Sequence, residues 1–129
     1  MTPTEEKVKV LVVDDDEAIR QLFKDILELA GFNIILAKDG EEGLARAEVE
    51  SPSLIMLDLL MPKMGGIEML KKLRQTPWGT NIPVVILTNV GIEDDIQKEI
   101  TEYRASFYLS KTTVDPQVVI EKINSILVR

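Results

Sequence analysis

Residues 53–66 read Ser-Leu-Ile-Met-Leu-Asp-Leu-Leu-Met-Pro-Lys-Met-Gly-Gly. Leu54 to Leu57 are wholly apolar, a run long enough for one strand buried on both faces and too short for a helix. The run ends on a carboxylate, Asp58, and the chain then passes through a loop punctuated by Pro62, Gly65 and Gly66. Open α/β sheets place their ligand crevices outside the carboxyl ends of such strands. A bland alternative stands beside that reading, since aspartate also caps strands and turns.

Outward from this stretch the same pattern repeats. Val8 to Val13 is a β-branched buried strand that runs into Asp14-Asp15-Asp16-Glu17. The following helix carries Ile19, Leu22, Phe23, Ile26 and Leu27 at helical spacing and stops at Gly31. Asn33–Ala37 is a strand, Lys38-Asp39-Gly40 a turn, and Glu41–Glu50 a short helix offering Leu44, Ala45 and Ala47 to the core. Gly66–Gln75 is helical through Ile67, Leu70 and Leu73, and a loop with Trp78 leads to a strand over Pro83–Leu87 that ends at Thr88. Glu93–Tyr103 is a helix with a thin stripe, Ile92, Ile96, Ile100 and Tyr103. Ser106–Leu109 is the last strand, ending at Ser110-Lys111. Asp115 then caps a final helix that opens on Pro116 and buries Val119, Ile123, Ile126 and Leu127. Strands apolar on both faces, alternating with helices, predict a doubly wound α/β domain over residues 8–129, five-stranded and parallel, preceded by a flexible N-terminus at 1–7.

Composition narrows the chemistry. The 129 residues include no cysteine and no histidine, which removes thiol chemistry, disulfides and the commonest metal ligand and general base. A net charge of −7 argues against a nucleic-acid-binding surface. No apolar run reaches membrane-spanning length and the start lacks a signal-peptide pattern, so a cytoplasmic protein without membrane insertion is expected.

The polar residues at strand ends form a complementary set: Asp14 and Asp15, Asp58, Thr88 and Lys111. Clustered carboxylates raise one another's proton affinity unless a cation neutralises them. Oxygen ligands without histidine or cysteine select Mg²⁺, with Mn²⁺ able to substitute. A lysine and a hydroxyl beside a metal-bound carboxylate suit a phosphoryl group, with Asp58 as its nucleophile. Asp16 fits better as the cap of the first helix.

These motifs resemble the receiver domains of response regulators across essentially the whole chain. The matching residues are Val-Val-Asp-Asp at 12–15 followed by Arg20, Leu-Asp at 57–58 followed by Met61-Pro62 and Gly66, Leu-Thr at 87–88, and Tyr-Leu-Ser-Lys at 108–111. The resemblance implies a flavodoxin-like three-layer α/β/α fold with strand order 2-1-3-4-5. It implies Asp14 and Asp15 as the metal-binding acids, Asp58 as phosphoacceptor and a metal contact from the Leu60 backbone carbonyl. Thr88 is then the switch hydroxyl, Tyr108 the switch aromatic and Lys111 the phosphate-binding lysine. It further implies a single-domain, chemotaxis-regulator-like signalling protein rather than an enzyme, monomeric or weakly dimeric. Such a protein is phosphorylated by a histidine kinase or histidine phosphotransfer protein, loses the phosphoryl group slowly by itself, and signals to a protein target through its fourth helix, fifth strand and fifth helix.

Three departures stand out. The proline usual after the lysine is Thr112, so the Lys111–Thr112 bond is either trans, with a different loop, or strained. Gly65 replaces an aspartate common before the loop glycine, and Arg104-Ala105 replaces a Gly-Ala pair. Three other functions fit less well. A haloacid-dehalogenase-like phosphatase would use Asp14-x-Asp16, but its later acidic pair should follow the lysine, whereas Asp94-Asp95 precedes Lys111. A flavin mononucleotide binder needs a Ser/Thr/Gly-rich phosphate loop where this chain has acids. A degenerate scaffold would not retain the Asp/Thr/Lys set.

Overall fold

Buried strands must find partners on both edges and both faces, and here they do so in a single parallel sheet. The computed structural model describes residues 8–61, 63–89 and 94–127. Its strands are β1 (Lys9–Val13), β2 (Asn33–Ala37), β3 (Leu54–Asp58), β4 (Val84–Thr88) and β5 (Phe107–Ser110), in the order β2-β1-β3-β4-β5. Every β3 residue is buried, as a central parallel strand requires. The helices are α1 (Glu17–Leu29), α2 (Gly40–Glu50), α3 (Gly66–Arg74), α4 (Asp94–Glu102) and α5 (Pro116–Leu127). The expected doubly wound architecture and strand order are therefore observed.

Alternation along the strands divides the core in two. Val10, Val12, Leu54, Met56, Val85 and Leu87 face α1 and α5, where Phe23, Leu27, Val119 and Ile123 complete one cluster. Leu11, Val13, Ile55, Leu57 and Ile86 face the other way, against Ala47 of α2, Leu70 and Leu73 of α3, and Ile100 of α4. Helices on both faces of the sheet give three layers.

Local chemistry sets most element ends. Asp16 caps α1 by accepting from the Ala18 and Ile19 N–H groups at 2.9 and 3.4 Å. Asp39 caps α2 through Glu42 N–H at 2.8 Å, and Asp115 caps α5 through Gln117 N–H at 3.0 Å. Gly31 leaves α1 with φ +97°, a conformation that favours glycine.

Some expectations need correction. Ala45 of α2 is exposed and Leu44 only half-buried, while Gly43 is buried. The reason is close approach: a Cβ on Gly43 would press on both Val13 methyls and the Met69 sulfur, so α2 turns its glycine face inward. Leu22 is 39% exposed, leaving Phe23, Ile26 and Leu27 as the buried stripe of α1. Ile126 and Leu127 are half-buried at the end of α5. β5 starts at Phe107 rather than Ser106, and β4 starts at Val84, because Pro83 has no N–H to give a ladder. Among the described residues of α4 only Ile100 is buried, which matches the thin stripe. Pro62, Val90, Ile92, Glu93 and the N-terminal segment 1–7 lie outside the described residues.

The Arg104 departure has a structural answer. Arg104 takes φ +62°, a conformation that costs a non-glycine residue about 1–2 kcal/mol. Its guanidinium donates to the Thr80 carbonyl at 2.9 Å. Beside it, Arg74 donates to the carbonyls of Tyr103, Gly79 and Ile82 at 2.8, 2.9 and 2.8 Å. These charge-assisted bonds offset the strain by tying the α3–β4 loop to the turn before β5.

Candidate functional site

Strand register assembles the acids. Val13 pairs with Leu57, so the next residues, Asp14 and Asp58, leave neighbouring strands side by side. Both are buried, while Asp15 is exposed. On the far side Thr88 pairs with Ser110, and Lys111 follows, its N–H donating to the Thr88 carbonyl at 2.8 Å. The Lys111 ammonium reaches back to Asp14 Oδ2 at 2.9 Å and Asp58 Oδ2 at 3.3 Å. Asp14, Asp15, Asp58 and Lys111, expected from four separate motif positions, thus meet at one sheet edge.

Other groups hold them there. Arg20 Nη1 donates to the Asp14 carbonyl at 2.7 Å, fixing the backbone from which Asp14 and Asp15 project. In the sequence Arg20 is legible only as a motif member, and its spacing, one turn into the helix that follows the acids, is the signal for this contact. Asp14 Oδ1 accepts from Asp16 N–H at 2.9 Å, and Asp58 Oδ1 from Leu60 N–H at 3.4 Å. Gly66 allows the loop to fold over the strand end, because a Cβ there would run into the Asp58 carbonyl. The Leu60 side chain is 81% exposed at the rim.

Charge at the site is unbalanced. Burial pushes the Asp58 carboxyl up to about 6, with Asp14 adding to the rise and Lys111 and the Leu60 N–H opposing it. Burial by itself would lower Lys111, but the Asp14 and Asp58 carboxylates outweigh it and hold the ammonium above its ordinary value. One lysine therefore faces more negative charge than it neutralises. The buried Asp14 Oδ2 has the shared Lys111 ammonium beside it, at 2.9 Å. Oxygens of Asp14, Asp15 and Asp58 lie within 4.8 Å of one another. Three carboxylates with one lysine beside two of them form an all-oxygen donor set that fits a hard divalent cation such as Mg²⁺.

Thr88 and Tyr108 sit on one face of adjacent strands. Tyr108 pairs with Ile86, and Thr88 lies two residues beyond Ile86, so by alternation both point to the α4 side. Thr88 is half-buried and Tyr108 is 51% exposed. No described peptide bond is cis, so Lys111–Thr112 is trans and the following loop takes its own course. Asp16, the acid that a phosphatase of the dehalogenase type would need, has its side chain committed to capping α1.

Comparisons with known proteins agree with the fold. A family model described as the response regulator receiver domain matches residues 10–124. The transcriptional regulatory protein CpxR of Klebsiella pneumoniae is 42% identical over 121 residues, covering 94% of this chain and 50% of that protein. The alkaline phosphatase synthesis transcriptional regulatory protein PhoP of Bacillus subtilis is 40% identical over 122 residues, covering 94% of this chain and 49% of its own length. The chain thus spans about half the length of these curated relatives. Among solved structures, the chemotaxis protein CheY4 of Vibrio cholerae superposes with a TM-score of 0.86 at 30% identity, covering 93% of this chain and 98% of its own. A chain of the CheX–CheY–BeF3–Mg complex of Borrelia burgdorferi gives a TM-score of 0.84 at 28% identity, over 95% of this chain and 90% of that chain. No helix among the described residues is long and apolar enough to cross a membrane.

Proposed function

The chain belongs to the response regulator receiver domain family, and on that premise we propose that Asp58 is its phosphoacceptor, with Thr88 and Lys111 as the groups that receive the phosphoryl oxygens. Receiver domains of two-component response regulators are phosphorylated on aspartate. The observation that carries the assignment here is the Lys111 ammonium spanning buried Asp14 and Asp58 from the far side of the sheet. Asp58 is the acid between Asp14 and the Thr88 and Lys111 ends, and its Oδ2 already faces the Lys111 ammonium.

In the proposed reaction an Asp58 oxygen attacks the phosphorus of a phosphohistidine, on a histidine kinase or a phosphotransfer protein. The O–P bond of an acyl phosphate forms, the P–N bond breaks, and its electron pair returns to the imidazole nitrogen, which takes up a proton. Lys111 pairs with one phosphoryl oxygen and the Thr88 hydroxyl donates to another. Asp14, Asp15, Asp58 and the Leu60 carbonyl would hold Mg²⁺, which supplies positive charge against the phosphoryl oxygens during transfer. No turnover of an external substrate is part of this reading. The bond to Asp58 is cleaved only slowly by water.

Transfer then draws Thr88 toward the phosphoryl group, and Tyr108 turns from solvent into the space behind it. The altered surface is α4, β5 and α5, which meets a protein target. CpxR and PhoP are named as transcriptional regulators at about twice this length, and that role is theirs. For this domain a net charge of −7 favours a protein partner over a nucleic acid. A cytoplasmic location belongs to the same proposal.

Intact mass after incubation with Mg²⁺ and a small phosphoramidate or acyl phosphate tests the assignment. One phosphoryl group should be gained, labile to hydroxylamine, absent with a chelator and absent from Asp58→Asn. Phosphate retained on Asp58→Asn at the wild-type level would overturn it.

A further inference from the structure

Lys111 has a long way to reach. It leaves the edge strand β5, yet its ammonium contacts acids at the ends of β3 and β1, across β4. Strands lie about 4.8 Å apart, so β3 is about 10 Å from β5. The lysine stem and the aspartate side chains bridge that distance between them, so the place of the Lys111 backbone bears on how the ammonium arrives.

The turn that begins at Lys111 is closed by one hydroxyl. Ser110 Oγ accepts from the Thr112 N–H at 3.1 Å and from the Thr113 N–H at 3.2 Å, and it shares a hydrogen bond with Thr112 Oγ1 at 2.9 Å. The Lys111 N–H, between them, stays tied to the Thr88 carbonyl at 2.8 Å. Lys111 is therefore held through its N–H by the sheet ladder and through the following turn by Ser110, with Thr112 supplying an N–H that a proline at that position would lack. We propose that Ser110 is a positioning residue for Lys111, its hydroxyl closing the turn that delivers the ammonium to the phosphoryl site. The proposal rests on the phosphoacceptor reading of Asp58.

Binding of beryllofluoride, a phosphoryl mimic, to the Mg²⁺-loaded protein measures what Lys111 contributes without any turnover. Calorimetric titration of Ser110→Val against its isostere Ser110→Thr isolates the hydroxyl in a side chain suited to a strand end. Ser110→Val should bind beryllofluoride about threefold to tenfold more weakly, the scale of one hydrogen bond, and Ser110→Thr should stay near wild type. In a Lys111→Ala background Ser110→Val should cost nothing further, because its effect passes through the lysine. Mg²⁺ affinity without beryllofluoride should hold or tighten in Ser110→Val, since a loosened ammonium competes less for the carboxylates. A merely structural role would weaken both ligands and both backgrounds alike. Wild-type beryllofluoride affinity in Ser110→Val, or an equal loss with and without Lys111, overturns the proposal while leaving the site reading intact. A wild-type protein that does not bind beryllofluoride overturns both.

Discussion

Asp58 illustrates how much a single residue's surroundings change its chemistry. Its carboxyl moves from 3.8 to about 6 through burial and the neighbouring Asp14 charge. The folded value lies above the unfolded one, so the native state takes up this proton first. The associated stability is fully present below about pH 4 and is lost as pH rises through about 6. Metal-free Asp58→Asn should therefore be more stable than wild type near neutral pH, by about 1–3 kcal/mol, with the gap closing toward about pH 4. Urea unfolding with a chelator at the two pH values checks this. A gap independent of pH would show that Asp58 carries no such strain. Leu60 permits a second test at this scale. Its side chain is 81% exposed at the rim and cannot orient a water in line with the phosphorus. Leu60→Asn should shorten the acyl-phosphate half-life by about threefold or more, since attack geometry dominates such rates. Decay followed by intact mass decides it, and an unchanged half-life assigns water access to other residues. Val90, whose aliphatic side chain is expected to border the same approach, lies outside the described residues.

Among the elements, α4 differs from its neighbours in how it is held. α3 buries Met69, Leu70 and Leu73, whereas the described part of α4 buries Ile100 alone. Besides Ile100, its links to α3 include Lys71 and Glu99 at 3.1 Å and Lys71 above the Tyr103 ring. Partly exposed ion pairs contribute little compared with burial of a leucine, about 1.5–3 kcal/mol each. The carboxyl end of α4, in contrast, runs into the turn secured by Arg74 and Arg104. A helix weakly packed along its length and tied at one end is the element whose position a small change at Thr88 can shift. Amide exchange within α4 and β5 should change severalfold on adding beryllofluoride with Mg²⁺, while α2 and the amino end of α3 stay unchanged. Equal protection changes in α2 and α4 would point to global tightening instead of a switch.

Across the whole molecule, the order of elements and the fold were legible from the chain alone. The apolar runs at Val10–Val13, Leu54–Leu57 and Val84–Leu87 allow only buried strands, and helical spacing between them leaves right-handed crossovers into one parallel sheet. Acids or hydroxyls directly after such runs must then collect on one edge, which is why Asp14, Asp58, Thr88 and Lys111 were all visible as a set. Caps were equally local, and Asp16, Asp39 and Asp115 each bind N–H groups within three residues. Other features had no local cause. That α2 packs through Gly43 and not Ala45 depends on the Val13 methyls and the Met69 sulfur, which are distant in sequence. Arg104 tolerates a left-handed conformation because carbonyls of the α3–β4 loop are within reach of its guanidinium and that of Arg74. The contact of Lys111 with Asp14 joins residues 97 positions apart, and its length is set by strand register and by the turn at Ser110. Sequence by itself determined which groups are brought to the edge, because period and punctuation are properties of neighbouring residues. Only the tertiary structure decided which of them touch, because a contact of about 3 Å depends on register and packing across the whole sheet.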